Sequence, residues 1–249
     1  MLTVRTKHFY YTFTIPKRRG GTRQIDAPYD VLKGVQAWIL RYILEPVALP
    51  PVATAFRRRK NLRDNVVPHQ GHQFILCIDL EDFFPSIGAN KVFSVFRSLG
   101  YTNFVSHLLT SLCTYQDRLP QGGVTSPILS NITCKRLDNR FSGYASRLFV
   151  SYTRYADDLT FSSNEPANLR KMLRAAFAVT AYVLHLRPVT SRGQGWACSA
   201  LGPRRIPPKL RGYRLSTVSS GKYHRNQPPR GRLYKVKNST QEKPRIPPD

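Results

Sequence analysis

The 249 residues suffice for one large domain or two small ones with a real core, and a hydrophobic content of 41% with 11% aromatic residues excludes disorder throughout. Lys and Arg number 39 against 14 Asp and Glu, a net charge of +25 that repels itself unless a polyanion is near. No apolar run is long enough to cross a bilayer and no signal-peptide pattern opens the chain, so nucleic acid is the expected partner and the cytoplasm the expected location.

In chain order, "HFYYTFTI" (8–15) predicts a strand and "KRRGGTR" (17–23) a basic turn. Asp30 is placed to cap a helix running to about 45, whose Val31, Leu32, Val35, Trp38, Ile39, Tyr42 and Ile43 fall at helical spacing. "QFILCIDL" (73–80) suits a buried central strand. Helical stretches follow at about 89–99 and 102–115. "SPILSNITCKRLDNRFSGYA" (126–145) predicts one helix, capped by Ser126 with Pro127 in its first turn. "RLFVSYTRY" and "DLTFSS" predict two strands joined at Ala156-Asp157, before an amphipathic helix at about 166–184. Residues 181–249 then hold 15 basic and 2 acidic residues and nine of the 19 prolines, which predicts a poorly ordered basic tail. Cys77, Cys113, Cys134 and Cys198 are too widely spaced for a zinc site or a disulfide framework and read as reduced thiols, three of them in apolar surroundings.

The chemistry gathers on acidic residues at strand ends. "YTRYADDLTF" (152–161) sets Asp157 beside Asp158 at a turn. Asp suits tight turns, which is the plainer explanation. Adjacent carboxylates also oppose each other's ionisation unless a cation is near, and magnesium takes one or two carboxylates with water and phosphate. "CIDLEDFFPSI" (77–87) ends an apolar strand with Asp79, which would complete the acidic set if delivered to the same sheet edge. Glu81 reads as a solvated charge. Between them, "LPQGGVTSP" (119–127) places Gln121 and two glycines before a helix N-terminus, where backbone can approach a phosphate closely.

This ordered set resembles the reverse transcriptases: Asp79 in "DLEDFFPSI", "PQGGVTSPILSN", and "YADD" at 155–158. Bacterial retron-type enzymes are the nearest likeness, with group II intron maturases more distant. "FTIPKRRGGTRQIDAP" (13–28) and "LKGVQAWIL" (32–40) resemble their fingers segment and the helix after it, and "NLRDNVVPH" (61–69) is similar to the retron Asn-Ala-x-x-His element, with Val66 for alanine. The resemblance implies an α+β right-hand polymerase, with fingers and their palm connection over 1–72 and an antiparallel palm sheet with packed helices over 73–185. It implies that Asp79 and Asp157, with the Leu80 carbonyl, bind two Mg2+ ions and that Asp158 completes the catalytic site. Phe84 would exclude a 2′-hydroxyl, Arg23 (with Lys17 weaker) would reach the triphosphate, and Gln121 would meet the incoming nucleotide or template. Tyr155 would pack on the primer end. Arg57 and Arg58, in "AFRRRKNLR", would track the template, although each alone reads as a solvated charge. His69 reads as a structural hydrogen-bonding residue.

Implied substrates are dNTPs and a structured non-coding RNA template, with a DNA product and a role in phage defence. Beyond about 185 neither the expected lysine motif nor the Val-Thr-Gly element is legible, so the thumb is expected to be missing or altered. The 186–249 segment reads as an RNA-binding tail or as the product of a shifted frame, and the abrupt end of the motif match favours the latter. An inactive scaffold that binds RNA is the alternative function.

Overall fold

A computed structural model describes residues 6–17, 21–184, 188–189 and 214–217, all within one compact unit, Met1–Ser219. A 3-10 turn (Thr6–Phe9) leads into an antiparallel hairpin of β1 (Tyr10–Pro16) and β2 (Thr22–Pro28). The sequence signals only the first strand. "TRQIDAP" has little strand propensity of its own, and its ladder with β1 supplies the preference that the residues lack. Tyr10 is buried at the root of the hairpin, while Tyr11, Phe13 and Ile15 share an exposed face.

Helix α1 (Asp30–Ile39) continues through a π-helical turn, Leu40–Leu44. Tyr29, not Asp30, holds the N-cap position, and Asp30 is the first helical residue. Its carboxylate there complements the helix dipole instead of capping. The apolar residues of α1 also divide between two faces. Leu32, Ile39 and Leu44 are buried with Gln36, whereas Val31, Val35, Trp38 and Tyr42 are exposed. A short helix α2 (Leu62–Val66) starts with a capping box: the Asn61 side chain accepts from the Arg63 and Asp64 amides, and Asp64 accepts from the Asn61 amide.

The larger sheet is built on β3 (Phe74–Leu80). Helices α3 (Ala89–Ser98) and α4 (Asn103–Cys113) follow as expected. The helix expected over 126–145 is two: α5 (Ser126–Thr133) and α6 (Lys135–Arg147), broken at Cys134 (φ −77°, ψ −4°). The run Ile132-Thr133-Cys134 consists of poor helix formers, which explains the break. Ser126 does not cap α5. It is the first helical residue, and its buried hydroxyl finds no partner among the described residues. Pro127 does sit in the first turn. Strands β4 (Ser151–Tyr155) and β5 (Asp158–Ser163), helix α7 (Pro166–Leu184), and short strands β6 (Pro188–Val189) and β7 (Arg214–Thr217) complete the described chain. The remainder of the expected tail, with Cys198, lies outside the described residues.

The strand order is β4-β5-β3, with β6 and β7 both on the far edge of β3, and every pairing is antiparallel. Alternation gives this sheet two unlike faces. Leu76, Ile78, Leu80, Tyr152, Leu159 and Phe161 are buried in one core with Phe96, Leu129, Phe141 and Met172. The Phe141, Tyr152 and Phe161 rings interlock at 4.8–5.5 Å between centroids. The opposite face carries Cys77, Asp79, Asp158, Thr160, Thr153 and Tyr155. Of the described cysteines, Cys113 and Cys134 are buried as expected, whereas Cys77 is on this open face.

Gln36 joins the hairpin to the rest. Its amide nitrogen donates to the Tyr10 hydroxyl (2.7 Å) and the Leu112 carbonyl (2.8 Å), and its oxygen accepts from the Val124 amide (3.0 Å). On the neighbouring strand, the Asp26 amide donates to the Gln121 carbonyl at 2.9 Å. That approach requires Gly122. Its φ is +133°, and a Cβ there would lie 2.8 Å from Ile25 Cγ2 and 2.9 Å from the Asp26 carbonyl oxygen. Backbone cannot swing aside as a side chain can, so Gly122→Ala is expected to lower stability by about 1–3 kcal/mol. Urea denaturation checks this. An unchanged midpoint would mean that the 119–126 loop does not press on β2.

Candidate active site

The β3–β5 register places Asp79 directly across from Asp158, and the β4–β5 register places Asp158 across from Tyr155. The three side chains therefore form a row on the open face at one end of the sheet. Asp157 lies in the two-residue turn between β4 and β5, and its carbonyl accepts from the Leu80 amide at 3.2 Å. The residue with left-handed backbone in that turn is Ala156 (φ +59°), not either aspartate. Tight hairpins usually put Gly, Asn or Asp at such a position.

The carboxylates feel one another. Burial, followed by Asp157 and Asp158, pushes Asp79 up to about 6, against the pull of a hydrogen bond from the Leu80 amide. Burial, then Asp157, also raises Asp158. A partly buried acid held up by like charges is a group that a cation would relieve. Among the described residues, no three His, Cys, Asp or Glu side chains are grouped closely enough to hold a metal by themselves. The donors present are all carboxylate and carbonyl oxygens. They suit a hard divalent ion that takes one or two carboxylates and fills its other positions with water and phosphate.

The other expected site residues scatter more widely. Phe84 is half-buried, 5.4 Å from the Phe83 ring and 6.1 Å from the Phe56 ring. Arg23 is exposed on β2, opposite Ile15. Gln121 is partly buried beneath β2. Glu81 is exposed, as expected. Arg57 turns inward: its Nη1 donates to the Pro50 (2.6 Å) and Ala53 (3.1 Å) carbonyls, so it braces its own turn. Arg58 reaches outward and pairs with Glu45 at 3.3 Å, an exposed contact of little energetic weight.

His69 is buried under the hairpin, with Nδ1 bonded to the Ser162 hydroxyl and Nε2 to the Thr153 hydroxyl, both at 2.7 Å. The Ser162 hydroxyl also meets His72 Nδ1 at 2.9 Å. This matches the structural role expected of His69. One group the sequence reading passed over is larger. Arg154 and Asp138, both fully buried, form an ion pair at 2.8 Å on the core side of the same hairpin, the face opposite His69. Its signal was present: each charge falls on an apolar face, Arg154 in step with Tyr152 on β4, and Asp138 beside Leu137 and Phe141 on α6.

With this geometry in view, the comparisons with known proteins are decisive. The family described as "Reverse transcriptase (RNA-dependent DNA polymerase)" matches residues 15–183. The chain belongs to the reverse transcriptase family. Its curated relatives include retron enzymes. It is 44% identical over 177 residues to the retron Ec86 reverse transcriptase of Escherichia coli, covering 70% of this chain and 54% of that one. It is 38% identical to the retron Mx162 reverse transcriptase of Myxococcus xanthus, covering 64% of this chain and 36% of that one. The chain thus spans about half or less of the length of these relatives. Among solved structures, it is similar to a Candida tropicalis telomerase truncated from its C-terminal domain (TM-score 0.48, 12% identity, 75% of this chain and 50% of that one). It is also similar to a prototype foamy virus protease–reverse transcriptase (TM-score 0.40, 16% identity, 72% of this chain and 20% of that one). The α+β architecture, with its antiparallel sheet and packed helices, agrees with membership of that family.

The His69 network carries a pH signature. Burial, and then the charge of His72, pushes His69 down to about 4 from 6.5. Well above pH 6.5 neither folded nor unfolded chain is protonated there, and the network is at full strength. As pH falls from 6.5 to 4 the unfolded chain takes up a proton that the folded chain refuses, so up to about 3 kcal/mol of stability drains away. The urea midpoint is expected to fall between pH 7 and pH 5, and to fall less in His69→Gln. An equal fall in both would assign the pH dependence to other groups.

Proposed function

We propose that the chain is an RNA-directed DNA polymerase of the retron type, joining dNTPs to a primer hydroxyl on an RNA template at the acidic site of Asp79, Asp158 and the adjoining Asp157. The reading rests on one observation above all: the register that sets Asp79 across from Asp158, with Asp157 in the adjoining turn. In this reading residues 1–72 serve as fingers and their connection to the palm, and 73–185 as palm. The primer oxygen attacks the α-phosphorus of a dNTP, a new P–O bond forms, and pyrophosphate leaves.

Divalent magnesium, two ions in this reading, would acidify the primer hydroxyl and offset the charge on pyrophosphate when bound. Asp79, Asp157 and the Leu80 carbonyl would hold it, and Asp158 would complete the negative field facing it. Phe84 would stand where a ribose 2′-hydroxyl would clash. Arg23 would neutralise triphosphate, Gln121 would meet nucleotide or template, and Tyr155 would support the primer end beside Asp158. Arg58, unlike Arg57, presents its charge outward for a template phosphate. The chain's +25 charge suits a duplex held by its phosphates and read for shape. The retron reading adds a structured non-coding RNA as template, a 2′-hydroxyl of that RNA as the starting group, and a cytoplasmic place in phage defence. These follow from family analogy. No helix among the described residues is long and apolar enough to cross a membrane.

A second reading, an RNA-binding scaffold without catalysis, draws on the basic 181–249 segment. Primer extension on an RNA template with dNTPs and Mg2+ separates the two. Asp157→Asn is expected to cut incorporation by roughly 100-fold or more, and Glu81→Gln by no more than about threefold. RNA binding by the parent without any incorporation would favour the scaffold. In the same assay Phe84→Val is expected to admit rNTPs, and a parent that already uses rNTPs as readily as dNTPs would refute the gate assigned to Phe84.

A further inference from the structure

Arg154 heads the fully buried side chains by size. A guanidinium in such a place is costly unless every donor direction is matched. Nε and Nη2 donate to Oδ1 and Oδ2 of Asp138, each at 2.8 Å, as a bidentate fork. Asp138 is anchored on α6 and also accepts from the Tyr152 hydroxyl at 2.9 Å. The Arg154 main chain is pinned as well: its amide donates to the Val52 carbonyl (2.8 Å), and its carbonyl accepts from the Thr54 amide (2.9 Å). Clamped on two sides, the guanidinium makes one more bond. Nη1 donates to the Ala156 carbonyl at 2.9 Å.

That acceptor lies at the strained point of the turn. Ala156 holds φ at +59°, a conformation that a residue with a Cβ adopts less readily than glycine. The Ala156 carbonyl and the Asp157 amide belong to one rigid peptide plane. Whatever orients the carbonyl therefore orients the backbone entering Asp157, and Asp158 begins β5 one residue later.

We propose that Arg154, clamped by Asp138, is a positioning residue for the acidic site: its bond to the Ala156 carbonyl fixes the peptide plane that leads into Asp157 and so sets where Asp157 and Asp158 stand relative to Asp79. The catalytic consequence rests on the polymerase reading above, while the geometric one does not. The competing view is that Arg154 merely fills space beneath the sheet.

The test replaces the buried polar group as a unit. The triple variant Tyr152→Phe, Asp138→Leu, Arg154→Met leaves no orphaned charge, and such swaps commonly preserve folding. Three quantities are measured: amide exchange of the 152–161 hairpin, Mn2+ affinity by electron paramagnetic resonance, and kcat and KM for dNTP on an RNA template. Exchange in the hairpin is expected to quicken about tenfold, Mn2+ affinity and kcat each to fall about tenfold, and KM to hold within about twofold. Adding Ala156→Gly supplies a residue that adopts the turn unaided, and is expected to recover most of the loss relative to Ala156→Gly alone. Should the triple variant not fold, Arg154→Lys, which keeps a charge facing Asp138 but lacks the fork, is read in the same way. Parent-like exchange and kcat in a folded variant, or losses that Ala156→Gly leaves untouched, overturn the proposal. A parent chain that neither makes DNA nor binds Mn2+ defeats the polymerase reading alone, and hairpin exchange then decides the clamp.

Discussion

Two carboxylates face each other across an antiparallel ladder, and the sheet holds them there against their own repulsion. At the roughly 5 Å between opposed side chains, with an effective dielectric near 20, that repulsion amounts to about 3 kcal/mol. Behind the same strands Leu76, Ile78, Leu80, Leu159 and Phe161 are buried. At about 1.5–3 kcal/mol each, their burial outweighs the repulsion several-fold. A one-residue slip of β3 would turn Asp79 into the core and Leu80 to the open face, so the register has no inexpensive alternative. The core thus dictates the placement of the acids, and the unfavourable contact persists as a standing demand for positive charge.

Both faces of the β4–β5 hairpin carry buried polar groups: His69 on the side of Thr153 and Ser162, Arg154 on the core side with Tyr152 and Leu159. His69 ties β4 to β5 through two hydroxyls, and the Asp138–Arg154 pair ties β4 to α6 and to the turn. Buried polar networks are costly when half satisfied and restrictive when complete. Completeness here leaves the hairpin with few other ways to sit.

Much of this was legible in the sequence because short-range patterns carry it. The apolar run of β3, the paired strands about Ala156-Asp157, and helices α3, α4 and α7 follow from periodicity and turn chemistry. The acidic residues were legible as a motif before any fold was known. What escaped depends on distant partners. β2 is a strand because β1 pairs with it. α1 has apolar residues on two faces, and composition cannot say which of them meets the core. The helix over 126–145 breaks at Cys134 through a local run of weak helix formers that its longer apolar pattern concealed. Arg57 looked like one more exposed charge in a basic loop until Pro50 and Ala53 were seen to take its guanidinium. Arg154 and Asp138 lie sixteen positions apart, so nothing adjacent in the chain announces their pairing.

The root of the β1–β2 hairpin is fastened on both strands, at Tyr10 through Gln36 and at Asp26 through Gln121. These fastenings leave the outer hairpin as a lever whose fulcrum is the Tyr10–Asp26 line. Arg23 rides three residues beyond Asp26, about 10 Å out at the usual strand rise. A tilt of about 15° at the fulcrum would swing that guanidinium by some 2–3 Å, roughly the length of one hydrogen bond, while the anchored base stayed still.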